Sequence, residues 1–151
     1  RLLSAPTSTR TFHLARISMA DLHLDTSPYN GHTTVGDTTW MAVPSLAMPG
    51  EMMQSRVSIG YGYNAGCPQL QAHSHRWYEE FAFDLATRPR AIAKVRACLE
   101  ARRWTSPAFD TRRWVQAFDT GARAIWEVAR LRGTDRPMHV LMPARHVPGV
   151  G

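Results

Sequence analysis

Two histidines and a cysteine come closest to a metal-ligand set in this sequence. His73 and His75 are separated by Ser74, and Cys67 lies six residues before His73. Imidazole and thiolate are ligands that zinc prefers. Ser74, however, is typical of a helix N-cap, and on a helix the side chains at i and i+2 point apart. We therefore expect these residues to form surface hydrogen bonds at a helix start, and we predict no metal site.

A glycine-rich stretch meets the short pattern of a dinucleotide site. Residues 60–65 read Gly-Tyr-Gly-Tyr-Asn-Ala and follow a short β-branched run. That pattern binds pyrophosphate only where a helix opens at the glycines. Gly66, Cys67 and Pro68 come next and argue against such a helix. We predict an extended piece at residues 56–59, then a glycine-tyrosine turn, and no cofactor.

The residues that perform acid–base or nucleophilic catalysis are not grouped in the sequence. Cys67 and Cys98 each lack an adjacent base, and Glu79 and Glu80 diverge on a helix. Three aspartates fall near predicted helix ends, where an acid has a structural role. They are Asp84, Asp110 and Asp119. We predict no catalytic residue and a protein that is not an enzyme. The spacing of the two cysteines leaves open whether they form a disulfide.

Arginine dominates the positive charge. Lys94 is the only lysine among 18 basic residues, and the net charge is +6. Arginines flank two tryptophans of the second half, in the order Arg102, Arg103, Trp104 and Arg112, Arg113, Trp114. Such a surface could bind anionic lipid, an acidic protein or RNA, because guanidinium groups pair with phosphate and carboxylate and stack on rings. Tryptophan and arginine are also enriched in protein interfaces.

The apolar residues of the second half recur with a helical period. Ser74 is a predicted N-cap, and Pro89 suits the first turn of a second helix. The apolar positions of this first hairpin are Trp77, Phe81, Leu85, Ile92, Val95 and Leu99. Their spacing of three to four residues predicts two amphipathic helices.

A second hairpin is predicted from Ser106-Pro107 to Gly133. Its apolar positions are Trp114, Phe118, Ile125 and Val128, and a break is expected at residues 119–121. Ala82-Phe83-Asp84 recurs as Ala117-Phe118-Asp119, a separation of about 35 residues, which is typical of helical-hairpin repeats. We predict a mainly α fold with two helical hairpins, and the short echo leaves open whether they are a true helical-repeat pair.

The first half shows less regular structure. Residues 21–72 are rich in proline and glycine and lack a sustained period, which favours an extended arm that lies across a partner. The first twenty residues are basic, hydroxyl-rich and free of acids, as mitochondrial targeting segments are. We predict an arm over 1–72, a helical domain over 73–133, and a tail over 134–151 with a short extended piece at 138–142.

Three pieces of the second half resemble helical subunits of mitochondrial energy complexes. They are residues 76–81, 95–98 and 118–128. They are similar to the matrix-side subunit Va of cytochrome c oxidase, and the hairpin echo is similar to pentatricopeptide-like accessory subunits of mitochondrial ATP synthases. The resemblance implies a cofactor-free, peripheral structural subunit that binds other subunits of an inner-membrane oxidative-phosphorylation complex. No stretch is long and apolar enough to span a membrane. The alternative is an arginine-rich mitochondrial ribosomal or RNA-associated protein.

Overall fold

The computed structural model describes residues 2–67 and 70–132. In these ranges the regular elements are α1 (Arg10–Ile17), β1 (His23–Leu24), α2 (Thr33–Trp40), β2 (Ser45–Leu46), α3 (Val57–Ala65), α4 (His75–Thr87), α5 (Pro89–Arg102) and α6 (Thr111–Arg132). Single 3-10 turns occupy Met53–Ser55 and Pro107–Phe109. The prediction of a mainly α fold is confirmed. The predicted tail and its extended piece lie outside the described residues.

The chain divides into two compact units, Arg1–Ala108 and Phe109–Gly151. The predicted boundary between residues 72 and 73 falls inside the first unit. Residues of the predicted arm and of the first helical hairpin share one core. Ala42, Cys67 and Leu70 from the arm pack in one buried cluster with Leu85 and three residues of α5.

A strand–helix–strand crossover forms the middle of the first unit. β1 and β2 pair in parallel, with His23 opposite Ser45 and Leu24 opposite Leu46, and α2 connects them. Ala47 forms a further parallel bridge with Gln71. Parallel strands need a crossover of this kind because a tight turn can join only antiparallel strands. Three segments therefore run side by side with their carboxyl ends at one edge.

The first predicted hairpin is present in the structure as α4 and α5. The Ser74 hydroxyl accepts a hydrogen bond from the Trp77 amide at 3.2 Å, as an N-cap does. Pro89 occupies the first turn of α5. Ile92, Val95 and Leu99 are buried. Local sequence signals were sufficient here, because caps, proline and apolar spacing all lie within the elements they define.

Residues 56–65 differ from the prediction. The expected extended piece and glycine-tyrosine turn are both wrong, since α3 runs through them from Val57 to Ala65. Gly66 ends this helix in the left-handed conformation, with φ of +76°. Glycine adopts this backbone without a Cβ clash, so a helix can run up to it and stop there.

The second predicted hairpin is one continuous helix. α6 extends over 22 residues with no break at 119–121. The Arg123 Nε donates to Asp119 at 2.8 Å across the expected break, and one glycine inside a helix costs only about 1 kcal/mol. The helix begins after Asp110, whose carboxylate accepts from the Arg113 amide at 2.9 Å, and not at Ser106. Ser106 instead lies before the 3-10 turn and donates to the Asn64 carbonyl.

Candidate functional site

The amino end of α2 lies at the carboxyl edge of the parallel segments. A loop of eight residues, 25–32, leads from β1 into this helix. His32 holds the N-cap position, and its side chain makes no capping hydrogen bond. Thr33 and Thr34 begin the helix with exposed side chains. The first amides of a helix carry partial positive charge and lack partners within the helix, so this end suits an anion.

Hydrogen bonds from a buried aspartate hold the loop in place. One oxygen of Asp25 accepts from the Gly31 amide at 2.7 Å, and the other accepts a short hydrogen bond from the Ser58 hydroxyl. The Tyr78 hydroxyl donates to the Asp25 carbonyl at 2.8 Å. The loop is thus anchored to α3 and α4. The position of the α2 amino end is set before any ligand arrives.

The loop also closes on itself. The Thr26 hydroxyl donates to the Tyr29 carbonyl at 2.5 Å, and the Asn30 side-chain amide donates to the Thr26 carbonyl at 3.0 Å. The Asn30 backbone amide donates to the Gln54 carbonyl at 3.0 Å. The rings of Tyr29 and His32 stack above this frame with centroids 4.9 Å apart and an interplanar angle of 15°.

An ion pair joins α1 to the second turn of α2. The two guanidinium nitrogens of Arg10 donate to the two carboxylate oxygens of Asp37 at 2.6 and 3.2 Å. His13 Nε2 lies 3.6 Å from the same carboxylate. The Asp37 side chain is almost fully buried, whereas that of Arg10 is mostly exposed. Cationic and imidazole groups therefore lie along the helix whose amino end is open.

Two buried polar atoms of the first thirty residues have no hydrogen-bond partner. Among the described residues, Asn30 Oδ1 and Ser8 Oγ are two of four buried side-chain polar atoms that make no hydrogen bond. Asn30 belongs to the loop before α2, and Ser8 precedes the residue that caps α1. Buried polar atoms are normally paired, so unpaired ones need an explanation. Both atoms have almost no exposed surface, so the protein encloses them and they are not open to a ligand at this edge.

Burial perturbs two titratable groups near the edge. It lowers the pKa of His23 below its ordinary value, because desolvation disfavours the charged ring, and the negative charge of Asp25 opposes that shift. Burial also raises the pKa of Tyr78, and Asp25 adds to the rise. His23 is therefore mostly neutral at neutral pH, and Tyr78 keeps the proton that it donates to the Asp25 carbonyl.

The residues of the hypothetical metal set are not brought together. The His73 ring stacks on Trp77 with centroids 5.3 Å apart. Cys67 instead faces Cys98, and its thiol donates to the Cys98 sulfur at 3.3 Å. Over residues 2–67 and 70–132, no group of three or more His, Cys, Asp or Glu side chains is placed to hold a metal ion.

The two cysteines are free thiols. Burial raises the pKa of Cys67 to about 12, and the hydrogen bond with Cys98 adds to the rise. A thiol with so high a pKa is a poor nucleophile, because the thiolate is the reactive form.

Two of the carboxylates that lack a catalytic partner in the sequence make structural contacts. Asp84 pairs with Arg88 and Glu80 with Arg76, each four residues apart on an exposed helix face. Such pairs contribute little to stability.

In the part of the chain that the structure describes, no helix has the length and hydropathy of a membrane crossing.

Sequence reasoning missed the edge formed by residues 25–37. A signal was present, since Asp25 directly follows a short run with Leu22 and Leu24, and ligand-binding polar residues commonly follow the strands of parallel sheets. The partners of the site, however, are 27 residues apart for Arg10 and Asp37 and 33 residues apart for Asp25 and Ser58. No local pattern joins them.

The sequence profile of glycosyl transferase family 41 matches residues 1–118. A probable UDP-N-acetylglucosamine–peptide N-acetylglucosaminyltransferase SEC of Arabidopsis thaliana is 32% identical over 132 residues, which cover 85% of this chain and 13% of that protein. The UDP-N-acetylglucosamine–peptide N-acetylglucosaminyltransferase of Caenorhabditis elegans is 31% identical over 127 residues, covering 84% of this chain and 11% of that protein. The chain therefore spans only a small part of the length of these relatives.

A solved structure shares the fold. A mutant O-GlcNAc transferase of Thermobaculum terrenum superposes with a TM-score of 0.77 at 26% identity, over 84% of this chain and 24% of that one.

These matches overturn the functional predictions. The assignment to cytochrome c oxidase or ATP synthase accessory subunits is wrong, because the matching profile is that of a glycosyl transferase family. The ribosomal alternative is wrong for the same reason. The prediction of a non-enzyme is contradicted by relatives that are named as transferases. The mitochondrial localisation, predicted from the composition of the first twenty residues and from that resemblance, is contradicted by the same matches.

Proposed function

Since the chain belongs to glycosyl transferase family 41, we propose that it forms part of an enzyme that transfers N-acetylglucosamine from UDP-N-acetylglucosamine to a peptide. In this proposal the amino end of α2 binds the diphosphate of the sugar donor. The observation that carries it is the open helix start at His32 and Thr33, which lies at the carboxyl edge of parallel strands. Ligands of open α/β sheets bind at this edge, and phosphates bind at helix amino ends.

The charges nearby support the same ligand. Arg10 is mostly exposed although it is paired with Asp37, so its guanidinium group remains accessible to a second anion. A guanidinium group can share its five N–H donors between a carboxylate and a phosphate.

The test places a negative charge at the helix start. Thr34→Asp adds a carboxylate in the first turn of α2, where it favours the helix but repels a diphosphate. Thr34→Asn is the matched control, because asparagine has the same shape as aspartate and carries no charge. We expect Thr34→Asp to weaken the binding of UDP to the full chain at least about tenfold relative to Thr34→Asn, with an unchanged or raised Tm. Isothermal titration calorimetry measures the affinity.

Two controls sharpen this test. Thr111→Asp adds the same charge in the first turn of α6 and should leave UDP binding unchanged. Uridine, which has no phosphate, should lose much less affinity than UDP in Thr34→Asp. Equal UDP affinity in Thr34→Asp and Thr34→Asn would exclude the α2 amino end as the diphosphate site.

The exposed apolar face of α6 supports a second part of the proposal, namely that this helix packs against a further region of a family 41 enzyme. Trp114, Phe118 and Ile125 form one stripe, and Trp126 lies beside it with two thirds of its surface exposed. The rings of Trp114 and Phe118 are stacked. A contiguous exposed apolar stripe on a helix is typical of an interaction surface. Because the chain spans 13% and 11% of its relatives, most of such an enzyme lies in other regions.

Replacement of the two tryptophans tests the α6 surface. We expect the full chain to self-associate at high concentration, and Trp114→Ser with Trp126→Ser to abolish that association, because the two substitutions remove large exposed apolar side chains from α6. Trp104→Ser removes a tryptophan outside α6 that is 79% exposed, and this variant serves as control. Sedimentation velocity measures the association. Association that survives the double substitution but not Trp104→Ser would move the interface away from α6.

A further inference from the structure

The Tyr29–His32 ring stack has a role that family membership does not assign. Tyr29 is 60% exposed, so burial does not explain its place. Its ring lies parallel to the imidazole at the N-cap of α2, with centroids 4.9 Å apart. His32 Nε2 lies 3.5 Å from the Gln54 carbonyl oxygen. The imidazole is therefore confined by a ring on one face and by a backbone oxygen at one nitrogen.

The backbone that carries both rings is fixed. The Thr26 hydroxyl holds the Tyr29 carbonyl, and the Gln54 carbonyl also accepts from the Asn30 amide. The Gly31 amide is bound by Asp25. The backbone therefore fixes the positions from which the two side chains start, and the stack itself limits the rotation of the two rings. Tyr29 thus restricts the His32 ring in the absence of ligand, which lowers the entropy cost of binding.

We infer that Tyr29 is a positioning residue for the donor site: it holds the His32 imidazole at the amino end of α2, so that the ring meets the diphosphate of the nucleotide. The inference rests on the proposed function. With Nε2 turned to the Gln54 carbonyl, Nδ1 is the nitrogen left to face a ligand. Tyr29 acts through its ring face, and its hydroxyl has no part in the role.

A double-mutant cycle tests the inference, with UDP as the probe and the full chain as the protein. We expect Tyr29→Ala to weaken UDP binding about two- to tenfold, the range that the energy of an aromatic pair gives. Tyr29→Phe keeps the ring and should bind like the wild type. In a His32→Ala background, Tyr29→Ala should have no further effect, because the residue that it positions is already gone.

The control is Tyr63→Ala, which removes a tyrosine of matched exposure, 63%, from α3. Nuclear magnetic resonance of the ligand-free protein gives a second readout, since loss of the stack should shift the His32 ring resonances in Tyr29→Ala and not in Tyr63→Ala. A wild-type affinity in Tyr29→Ala, or an equal loss with and without His32, would overturn the inference. A wild-type chain that binds no UDP while its His32 resonances report the stack would instead overturn the proposed donor site.

Discussion

Residues 21–72 and helix α6 differ in how the periodicity of their sequence relates to the burial of their side chains. The first segment has strands of two residues, short helices and no sustained period, yet it contains the most deeply buried side chains, Val43 and Leu46 among them. α6 has a clear helical period over 22 residues, yet its large apolar side chains are exposed. Periodicity reports which face of an element is apolar. Burial depends on what other parts of the chain bring to that face.

The largest expected effect tests whether stability depends on the first segment. Leu46 in β2 is fully buried, and Leu46→Ala should lower the free energy of unfolding by about 2–5 kcal/mol, because it removes apolar contacts and leaves a cavity. Leu131→Ala, the same change at a position 85% exposed on α6, should stay within about 0.5 kcal/mol. Urea unfolding measures both. Similar losses of unfolding free energy at the two positions would contradict the proposed difference between the first segment and α6.

The second-largest expected effect is the loss of stability on removal of a carboxylate, which should be greater in the first segment than on α6. Asp25→Ala removes the acceptor of the Gly31 amide and the Ser58 hydroxyl in a buried place, and we expect a loss of about 1–3 kcal/mol. Asp119→Ala on α6 breaks an exposed pair with Arg123 and should leave the Tm nearly unchanged. Thermal unfolding followed by circular dichroism compares them. A stable Asp25→Ala variant would show that the loop is not held by this carboxylate.

Glycine substitutions should have opposite signs in the two regions. Gly66 has a φ of +76°, and an added Cβ would meet the Arg102 side chain, so Gly66→Ala should destabilise the chain by about 1 kcal/mol. Gly121 lies inside the continuous α6, where alanine favours the helix by about 0.5–1 kcal/mol. Differential scanning calorimetry resolves the sign. Destabilisation by Gly121→Ala would indicate that α6 needs a bend there.

The smallest expected effect is on the thermal stability of the chain at acidic pH. In the unfolded chain His23 takes up a proton at its ordinary pKa, whereas burial lowers that pKa in the folded chain. The neutral ring therefore contributes stability that is present above the unfolded pKa and is lost as the pH falls through the folded one. His23→Gln should reduce the drop in Tm between about pH 7.5 and pH 5. His75→Gln, at an exposed position on α4, should not. An unchanged drop in His23→Gln would assign the acid sensitivity elsewhere.

The sequence predicted those parts whose determinants are local. Ser74 as a cap, Pro89 as a first-turn residue and Leu99 as a core residue each follow from their near neighbours, and all three hold in the structure. The crossover was missed because strands of two residues carry no alternation to read. Its helix α2 packs through Val35, Thr38 and Thr39, and the threonine hydroxyls bond back to the Val35 carbonyl. Composition alone marks such threonines as loop residues.

The candidate site could not be derived from the sequence because its contacts cross the chain. Asp25 reaches Ser58, and Tyr78 reaches back to Asp25 over 53 residues. The glycines and tyrosines of α3 match the short sequence pattern of a dinucleotide site. The open helix start instead lies at His32 and Thr33, which match no such pattern. Recognition of that start requires the parallel pairing of β1 and β2, which only the folded chain displays.

The shared core of the arm and the hairpin determines when the first unit can finish folding during synthesis. Ala42 and Cys67 leave the ribosome well before their partner Leu99, and the Arg96 side chain closes onto the carbonyls of Ser18 and Ala20. About 30 residues separate the end of the arm from the end of α5, on the order of two to six seconds of translation. During that interval the crossover segment has been synthesised but its apolar side is still exposed. This exposed apolar surface is where we expect a chaperone to bind the nascent chain.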